Sequence, residues 1–191
     1  MKYLIGIDEV GRGPIAGPVA VGAFVFLRPE AKKFFKGVKE SKQLTEEKRE
    51  AWFAKILEAQ SLGLVNFSVV FQSEKVIDEK GISFAIKKSL NSALANLVIK
   101  PTEATVLLDG GLKAPEEYKN QKTIIKGDVK EQVIALASIC AKVSRDRRMR
   151  SWAKKHPNYG FDIHKGYGTK KHYEAIKMHG LLPLHRKTFY K

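Results

Sequence analysis

The sequence predicts an α/β fold in which helices cover a mixed sheet of five strands. Three observations support this prediction. Short runs of apolar and β-branched residues recur at 3–7, 19–27, 62–71, 104–108 and 122–126. Longer stretches between and after these runs place apolar residues at a three-four spacing, which is typical of helices. Strands that come partly in succession and partly separated by helices favour a mixed sheet over a purely parallel one.

The first half of the chain contains three of the predicted strands and one long helix. The strand at 3–7 ends in the adjacent carboxylates Asp8 and Glu9, and a glycine-rich turn follows. The run at 19–27 is β-branched and aromatic, which is typical of strands. Thr45 is placed to cap a helix whose first turn carries two glutamates. The third strand follows that helix.

The second half begins with two helices, a short one from Ser73 to Gly81 and a longer one that stops near Pro101. Two short strands follow, and then the strongest helical pattern of the chain, which we expect to end at 156–158. Basic residues lie on its far side and at its end. A short helix at about 170–178 completes the pattern. The apolar face of the long helix is predicted to contain Val129, Val133, Leu136, Cys140 and Val143.

The composition indicates a globular domain that binds a polyanion. A chain of 191 residues suffices for a single domain. With 35 Lys and Arg against 20 Asp and Glu, its net charge of +15 favours nucleic acid or an anionic membrane. No apolar run approaches the roughly 18 residues of a membrane-spanning helix, and the apolar stretch at the N-terminus is too short for a signal peptide. The single cysteine, Cys140, suits a cytoplasmic protein, so we expect that location and no membrane.

Three carboxylates fall at or just after the ends of predicted strands. Asp8 follows the first strand, Asp109 the fourth and Asp128 the fifth, and ligands gather at this edge of α/β sheets. Each also has a purely structural interpretation, Asp109 as a turn residue and Asp128 as the cap of the long helix. A carboxylate cluster is unfavourable unless a cation balances it. The pattern therefore predicts a site for Mg²⁺ or Mn²⁺ ions, which suits phosphodiester chemistry.

Glu9 raises a geometric question. Adjacent residues of a regular strand point to opposite faces, so Asp8 and Glu9 do not both face one ion unless the strand bends at Glu9. The glycine at position 11 makes Val10 and Gly11 the place where we expect the strand to leave regular geometry.

Several motifs resemble those of ribonuclease HII, and together they span essentially the whole chain. The run from Asp8 to Val19, Asp-Glu-Val-Gly-Arg-Gly-Pro-Ile-Ala-Gly-Pro-Val, is similar to the leading motif of that family. Ribonuclease HIII carries a lysine where Arg12 stands here, so the type II resemblance is preferred. The other matching segments are Ser41 to Leu44, Leu108 to Gly110, Ile125 to Asp128, Ala137 to Arg147, Tyr159 to Thr169 and His185 to Phe189.

The resemblance implies a ribonuclease H-like fold. It implies a single catalytic domain over 1–191, in which about 155–191 form a C-terminal substrate-binding extension. The implied activity is an endonuclease that cleaves the RNA strand of RNA–DNA hybrids and single ribonucleotides embedded in duplex DNA. Cleavage on the 5′ side of the ribonucleotide would leave 3′-hydroxyl and 5′-phosphate ends. We expect a monomer with Mg²⁺ or Mn²⁺ as cofactor. The family's four catalytic and metal-binding acids fall on Asp8, Glu9, Asp109 and Asp128.

The resemblance also assigns contacts with the substrate. Gly11, Arg12 and Gly13 would present main-chain groups to the ribose 2′-hydroxyl, the group that separates RNA from DNA, because glycines let a backbone approach closely. Tyr167 would sense the substrate. The alternative interpretation of this residue is a half-buried tyrosine that packs on the core. The other substrate-binding candidates, most of them basic side chains for phosphates, are Ser41, Lys42, Lys126, Ser138, Lys142, Arg145 and Lys165.

Some positions depart from the family pattern or fall outside it. Glu40 stands where the family has Asp before Ser-Lys, and Gly111 stands where Asn is usual. Both departures concern local substrate contacts. The five histidines lack the compact spacing of a zinc site. Arg145 and Asp146 are expected to pair as surface charges of little energetic weight.

Two alternatives from other classes stay open. The first is a non-catalytic nucleic-acid-binding module in which the acids are turn and cap residues, and whose binding is indifferent to divalent ions. The second is a different nuclease of similar fold, such as a junction resolvase or an exonuclease. It would cleave all-DNA substrates, which a requirement for the 2′-hydroxyl forbids.

Overall fold

The computed structural model describes residues 3–39 and 41–190, and its described residues form one five-stranded mixed sheet. The strands are β1 Tyr3–Val10, β2 Val19–Phe26, β3 Val65–Gln72, β4 Ala104–Asp109 and β5 Gln121–Ile124, in the order β3-β2-β1-β4-β5. β2 pairs antiparallel with β1 and β3, and β4 pairs parallel with β1 and β5. The predicted fold class is confirmed. Glu40, one of the departures from the family pattern, lies outside the described residues.

The order of helices and strands along the chain agrees closely with the predicted order. Thr45 and Ser73 are the N-caps of the first two helices, and their hydroxyls accept from main-chain N–H groups in the first turn. No helix in the described part of the chain is long and apolar enough to cross a membrane. The α-helices of the described residues are α1 Glu46–Ser61, α2 Glu74–Lys80, α3 Ile82–Asn96, α4 Gly127–Lys130, α5 Gln132–Lys155, α6 Phe161–His164 and α7 Lys170–His179.

The helices cover both faces of the sheet. Helices α1 and α5 pack on one face, where Phe24 and Leu136 are buried, and α2 and α3 pack on the other, where Ile5 and Leu90 are buried. A third cluster, centred on Phe161, joins the end of α5 to α6 and α7. Burying one such side chain stabilises the fold by about 1.5–3 kcal/mol. The sheet is therefore held from both sides, and its acid-bearing strand ends are rigidly placed.

Two strand glycines let α5 lie directly on the sheet. A Cβ on Gly6 would lie 2.3 Å from the carbonyl oxygen of Val133, and one on Gly22 would lie 2.4 Å from that of Ala137. Gly22 is the β2 partner of Asp8 on β1. The close approach of α5 therefore brings this helix against the acid-bearing end of β1.

The region between β5 and α5 differs from the prediction. β5 ends at Ile124, and Lys126, with a left-handed backbone (φ 55°), leads into the short helix α4. Val129, predicted on the apolar face of the long helix, lies in α4 and is 55% exposed. The extended backbone of Glu131 separates the two helices. Asp128 therefore lies inside a helix of its own and not directly behind a strand.

The C-terminal segment 180–190 is bonded to two parts of the body. Ala16, in the loop between β1 and β2, forms an isolated β-bridge with His185. The carboxylate of Asp78 on α2 accepts from the N–H groups of Lys187 and Thr188 at 2.9 and 3.0 Å. The segment thus crosses between the β1–β2 loop and α2.

Candidate active site

The site lies where β1 and β4 separate. Their parallel pairing ends at Ile7 and Leu108, whereas β1 stays paired with β2 beyond that point. The next residues, Asp8 and Glu9 on β1 and Asp109 on β4, therefore stand on the two sides of a notch at the carboxyl end of the sheet. The structure brings together the acids that the sequence placed at separate strand ends.

Asp8 is one of the two buried acids of the site. It faces α5, is 6% exposed, and has a hydrogen bond with the hydroxyl of Ser138. That hydroxyl lies 2.8 Å from the hydroxyl of Ser41, which is also buried. Burial raises the pKa of Asp8 to about 7, the Ser138 hydrogen bond opposes this rise, and the charges of the other three acids add to it. A nearby cation would relieve both the burial penalty and the repulsion.

Glu9 reaches the notch from the other face of β1. Its side chain is 17% exposed, and its Oε1 lies 3.5 Å from Nη1 of Arg12. Burial raises the pKa of Glu9, the Arg12 guanidinium opposes this rise, and the charge of Asp109 adds to it. Arg12 therefore acts as a partial counter-charge at the mouth of the site.

The strand does not bend at Glu9. The pairing of β1 with β2 is unbroken through Val10, opposite Ala20, and the chain leaves the strand at Gly11, whose φ is 92°. The departure lies where glycine makes it accessible. The carboxylates of Asp8 and Glu9 therefore point to opposite faces, as a regular strand requires.

Asp109 links the strand edge to the fourth acid. Its Oδ1 accepts a 2.6 Å hydrogen bond from the N–H of Gly127, the first residue of α4. Asp128 follows, is 5% exposed, and lies 3.9 Å from Nζ of Lys42. The alternative in which Asp128 caps the long helix does not hold, because Glu131 is the N-cap of α5. Asp109 thus positions α4, and α4 places Asp128 beside the notch.

The four acids suit a hard divalent cation, which prefers carboxylate oxygens. Among the residues that the structure describes, no three acidic, histidine or cysteine side chains are already close enough together to hold an ion. Instead, Arg12 stands beside Glu9 and Lys42 beside Asp128. The raised pKa of Asp8 reflects the charges of the other acids. The donor set therefore fits a cation that would draw the acids together.

A glycine-rich turn and Tyr167 adjoin the acids. A Cβ on Gly11 would lie 2.2 Å from Nε of Arg145, so only glycine fits there without a rearrangement. A Cβ on Gly13 would lie 3.9 Å from Cε1 of Tyr167, which places this ring directly over the turn. Tyr167 is 45% exposed, so its ring is accessible to a ligand on this surface.

The predicted phosphate contacts divide into exposed and occupied side chains. Lys42 has an 80% exposed side chain, and Lys126 is also exposed. Nζ of Lys142 lies 2.8 Å from Oδ1 of Asp146. Lys165 is buried and bonds to groups of the protein itself. The exposed pair is available to a phosphate, whereas Lys142 and Lys165 already have partners.

The prediction that Arg145 and Asp146 form a surface pair is wrong. Arg145 is fully buried, and its guanidinium donates to the carbonyl oxygens of Pro18, Lys165 and Ala16 at 2.8, 2.9 and 3.3 Å. Asp146 is 2% exposed. A buried guanidinium with three carbonyl partners does not reach a phosphate at the surface, so Arg145 leaves the set of candidate phosphate contacts.

Sequence reasoning also missed a histidine cluster beneath Tyr167. The rings of His164 and His172 stack with their centroids 4.2 Å apart, and Nε2 of His172 lies 3.1 Å from Nε2 of His185. Nδ1 of His172 lies 2.9 Å from the carbonyl oxygen of Tyr167. Burial lowers the pKa of all three histidines. The cluster supports the Tyr167 loop, and the sequence spacing of these residues carries no signal of it.

Comparison with known proteins agrees with this geometry. A family model described as Ribonuclease HII matches residues 5–191. The Ribonuclease HII of Caldicellulosiruptor bescii is 43% identical over 190 residues, which cover 100% of this chain and 87% of that protein. These matches include the acids, the glycine-rich turn and Tyr167 within the aligned length.

Solved structures show the same fold. The ribonuclease H2 of Pyrococcus horikoshii OT3 superposes with a TM-score of 0.75 at 27% identity, covering 97% of this chain and 93% of that one. Bst-RNase HIII, solved in complex with Mn²⁺, superposes with a TM-score of 0.71 at 22% identity, covering 99% of this chain and 67% of that one. At that identity the second likeness concerns the fold alone.

Proposed function

The chain belongs to the ribonuclease HII family of metal-dependent endonucleases, and from this premise we propose its specific reaction. It cleaves the RNA strand of RNA–DNA hybrids and single ribonucleotides embedded in duplex DNA. The cut falls on the 5′ side of the ribonucleotide at the RNA–DNA junction and leaves 3′-hydroxyl and 5′-phosphate ends.

The observation that carries this proposal is the position of four acids beside an exposed glycine-rich turn. The carboxylates lie in one another's field, as the raised pKa of Asp8 shows. The turn at Gly11 to Gly13 adjoins them, and its exposed residues Arg12 and Gly13 lie beside Tyr167. A ribose bound at the turn would place its phosphate near the acids. Recognition of the 2′-hydroxyl and cleavage of the phosphodiester bond would thus take place at the same nucleotide.

The roles of the acids follow from their placement. When bound, divalent ions lower the pKa of an attacking water and stabilise the leaving oxygen. Ser138 orients the Asp8 carboxylate, and Asp109 holds α4 and with it Asp128. The ligands in this proposal are Asp8, Glu9, Asp109 and Asp128. Because Asp8 and Glu9 point to opposite faces of β1, they would contribute to different ions. Mg²⁺ or Mn²⁺ would fill the site, since both are hard cations that prefer carboxylate oxygens.

The substrate contacts are proposed on exposure. The exposed Arg12 and Gly13, with the buried Gly11 beside them, approach the ribose. The Tyr167 ring lies against the neighbouring sugar or base. Lys42 and Lys126 are exposed and bind phosphates. The buried hydroxyls of Ser41 and Ser138 act through Asp8, since they bond to each other and Ser138 also bonds to that carboxylate.

The test is a duplex that carries one ribonucleotide, incubated with Mg²⁺ or with Mn²⁺ and mapped at nucleotide resolution. We expect one cut, 5′ of the ribonucleotide, and loss of cleavage in Asp8→Asn. Absence of cleavage with either ion, or full activity of Asp8→Asn, contradicts the proposal.

The same assay separates the open alternatives. An all-DNA duplex of identical sequence stays intact under this proposal, whereas a resolvase or exonuclease would cut it. A non-catalytic module would bind both duplexes equally with and without divalent ions. An alkaline ladder of the product identifies the cleaved bond and its end groups.

We further propose a single catalytic domain that acts as a monomer in the cytoplasm. The bonds of the 180–190 segment to the β1–β2 loop and to α2 support one domain over a detachable extension. The single cysteine, buried in the core with a pKa raised by that burial, supports a location without disulfide formation. Light scattering of the pure protein tests the monomer.

A further inference from the structure

The turn that faces the ribose is held from below by an arginine of the C-terminal segment. Nη2 of Arg186 donates to the carbonyl oxygen of Gly11 at 2.7 Å, and Nη1 donates to that of Arg12 at 3.0 Å. Its Nε donates to the carbonyl oxygen of Gly17 at 2.8 Å. Arg186 is fully buried. One planar group therefore fixes both ends of the β1–β2 loop, 169 to 175 positions away in sequence.

Among the described residues, this guanidinium donates to main-chain carbonyls alone. Arg145 makes the same kind of bonds to Ala16 and Pro18 of the loop. Burial, and then the charge of Arg145, lower the pKa of Arg186. The carbonyl oxygens offset this penalty, because hydrogen bonds to a charged donor are stronger than neutral ones. The carbonyl groups of Gly11, Arg12 and Gly17 in the loop therefore point toward the buried Arg186.

The N–H groups of the loop divide into two sets. Those of Ile15 and Ala16 donate to the carbonyl oxygen of Gly166, at 2.9 and 3.1 Å. Within the described part of the chain, no hydrogen bond uses the N–H of Arg12 or of Gly13. Because the carbonyls of Gly11 and Arg12 are drawn toward Arg186, these two N–H groups are left for a ligand at the surface.

We propose that Arg186 is a positioning residue for ribose recognition: it orients the Gly11–Arg12 peptides so that the free N–H groups meet the 2′-hydroxyl. This inference rests on the proposed function and adds to it a residue outside the turn. Arg186 touches no substrate atom and acts through the main chain. Ribonucleotide recognition therefore depends on the bonds between the Arg186 guanidinium and the loop.

A lysine does not replace this arrangement. Three carbonyls from Gly11, Arg12 and Gly17 meet the three nitrogens of one flat fork. A lysine ammonium carries its three N–H donors on one nitrogen, and they do not point in the directions of the guanidinium donors. Arg186→Lys therefore keeps the positive charge but cannot make the same three hydrogen bonds. This makes Arg186→Lys the informative variant.

The test compares duplexes that differ by one hydroxyl. Affinities of wild type and Arg186→Lys are measured for a single-ribonucleotide duplex and for the matching all-DNA duplex, with Ca²⁺ in place of the catalytic ion. We expect the wild type to prefer the ribonucleotide. In Arg186→Lys this preference falls by roughly tenfold, the worth of about one well-placed hydrogen bond, while affinity for all-DNA is kept. The rate of cleavage with Mg²⁺ falls in parallel.

The matched control is Asp78→Ala, which removes the other anchor of the same segment without touching the loop. It should lower thermal stability and leave the ribonucleotide preference at the wild-type value. An unchanged preference in Arg186→Lys overturns the inference, as does an equal loss of affinity for both duplexes. A wild type that does not cut the ribonucleotide duplex refutes the proposed function, and the inference falls with it.

A second measurement needs no variant and serves if Arg186→Lys does not fold. In ¹⁵N-labelled wild type with Ca²⁺, the amide signals of Arg12 and Gly13 should shift on addition of the ribonucleotide duplex and shift less with the all-DNA duplex. Equal shifts with both duplexes overturn the inference. The amides of Ile15 and Ala16, which already have acceptors, are the internal reference.

Discussion

Two neighbouring regions of the molecule differ in how their buried charges are compensated. The acid notch, formed by Asp8, Glu9, Asp109 and Asp128, places like charges together at the sheet edge, and the pKa of Asp8 rises to about 7. The β1–β2 loop (residues 11–18) instead surrounds two buried arginines with carbonyl oxygens. Like charges that raise the pKa of a buried carboxylate indicate a place for a ligand. Buried charges that the protein's own carbonyl oxygens compensate indicate a scaffold instead.

The contrast between the two regions matters because both contain buried ionisable groups. Burial alone does not distinguish a binding site from a structural brace. The distinction lies in whether the protein itself supplies the compensating groups. Removing a charge should therefore have opposite effects on stability in the two regions.

The largest expected effect comes from Asp8→Asn. Cleavage should fall roughly a thousandfold, because an amide is a poor ligand for a divalent ion. The same change removes a buried charge that other acids repel. The free energy of unfolding in EDTA at pH 8 should therefore rise by about 1–3 kcal/mol. Urea unfolding and the single-ribonucleotide assay measure the two quantities.

The control for Asp8→Asn is another buried acid. Asp146 lies 2.8 Å from Nζ of Lys142 and 3.9 Å from Nη2 of Arg49, so Asp146→Asn should lower the unfolding free energy by about 3 kcal/mol. If Asp8→Asn destabilised the protein as much as Asp146→Asn, the notch would not be a region of uncompensated charge.

A comparably large loss of stability is expected from Arg145→Met. The substitution leaves the carbonyls of Ala16, Pro18 and Lys165 without their donor, which should lower the unfolding free energy by about 3–4 kcal/mol. Arg147→Met on the same helix is the control. Arg147 is half-exposed and pairs with Glu50, so its loss should cost about 0–1 kcal/mol. Similar losses in the two variants would show that the buried carbonyl contacts add nothing.

An intermediate effect should appear in the pH dependence of stability. Nδ1 of His172 donates to the carbonyl oxygen of Tyr167, so Nε2 of the neutral ring is an acceptor, 3.1 Å from Nε2 of His185. His172 is therefore held neutral, and burial lowers its pKa from 6.5 to about 4. The unfolded chain takes up this proton at higher pH than the folded one. The stabilisation is complete above pH 6.5 and is lost as the pH falls through about 4.

Urea unfolding at pH 7.5, 5.5 and 4.5 measures this loss, which we expect to be of the order of 1–2 kcal/mol. The measurement uses the Asp8→Asn protein, because the raised pKa of Asp8 makes the folded wild type more stable as the pH falls over the same range. Adding His172→Gln to Asp8→Asn should give a flatter profile, whereas adding His179→Gln, at an exposed position, should keep the Asp8→Asn profile. An unchanged slope on addition of His172→Gln would assign the pH dependence to other groups.

The acid notch was accessible to sequence analysis because its signal is local. An apolar run that stops at a carboxylate predicts both the strand and the position of the acid at its end, as at Asp8 and Asp109. The position of Asp128 was harder to predict, since Lys126-Gly127-Asp128 is equally compatible with the end of a strand and the start of a helix. Only the extended backbone of Glu131 separates α4 from α5.

The arginine contacts could not be predicted for a physical reason. The partners of Arg145 and Arg186 are main-chain carbonyls, which every residue carries, so no residue type marks them. Their sequence separation removes any local pattern as well. Arg145 was assigned to the surface because basic residues near a helix end are usually solvated, and its burial depends on a loop that comes before it by 127 positions.

The smallest effect distinguishes two lysines that the sequence treated alike. Lys42 is exposed and stands beside Asp128, whereas Lys142 is paired with Asp146. Lys42→Ala should raise KM for the ribonucleotide duplex and lower the slope of log Kd against log salt by about 1, the loss of one phosphate contact. Lys142→Ala should leave the slope unchanged and reduce stability, because it removes the partner of a buried carboxylate. Binding titrations at several salt concentrations decide between them. A reduced slope in Lys142→Ala would mean that its ion pair opens to meet the phosphate, and the division into exposed and occupied side chains would then hold only for the free protein.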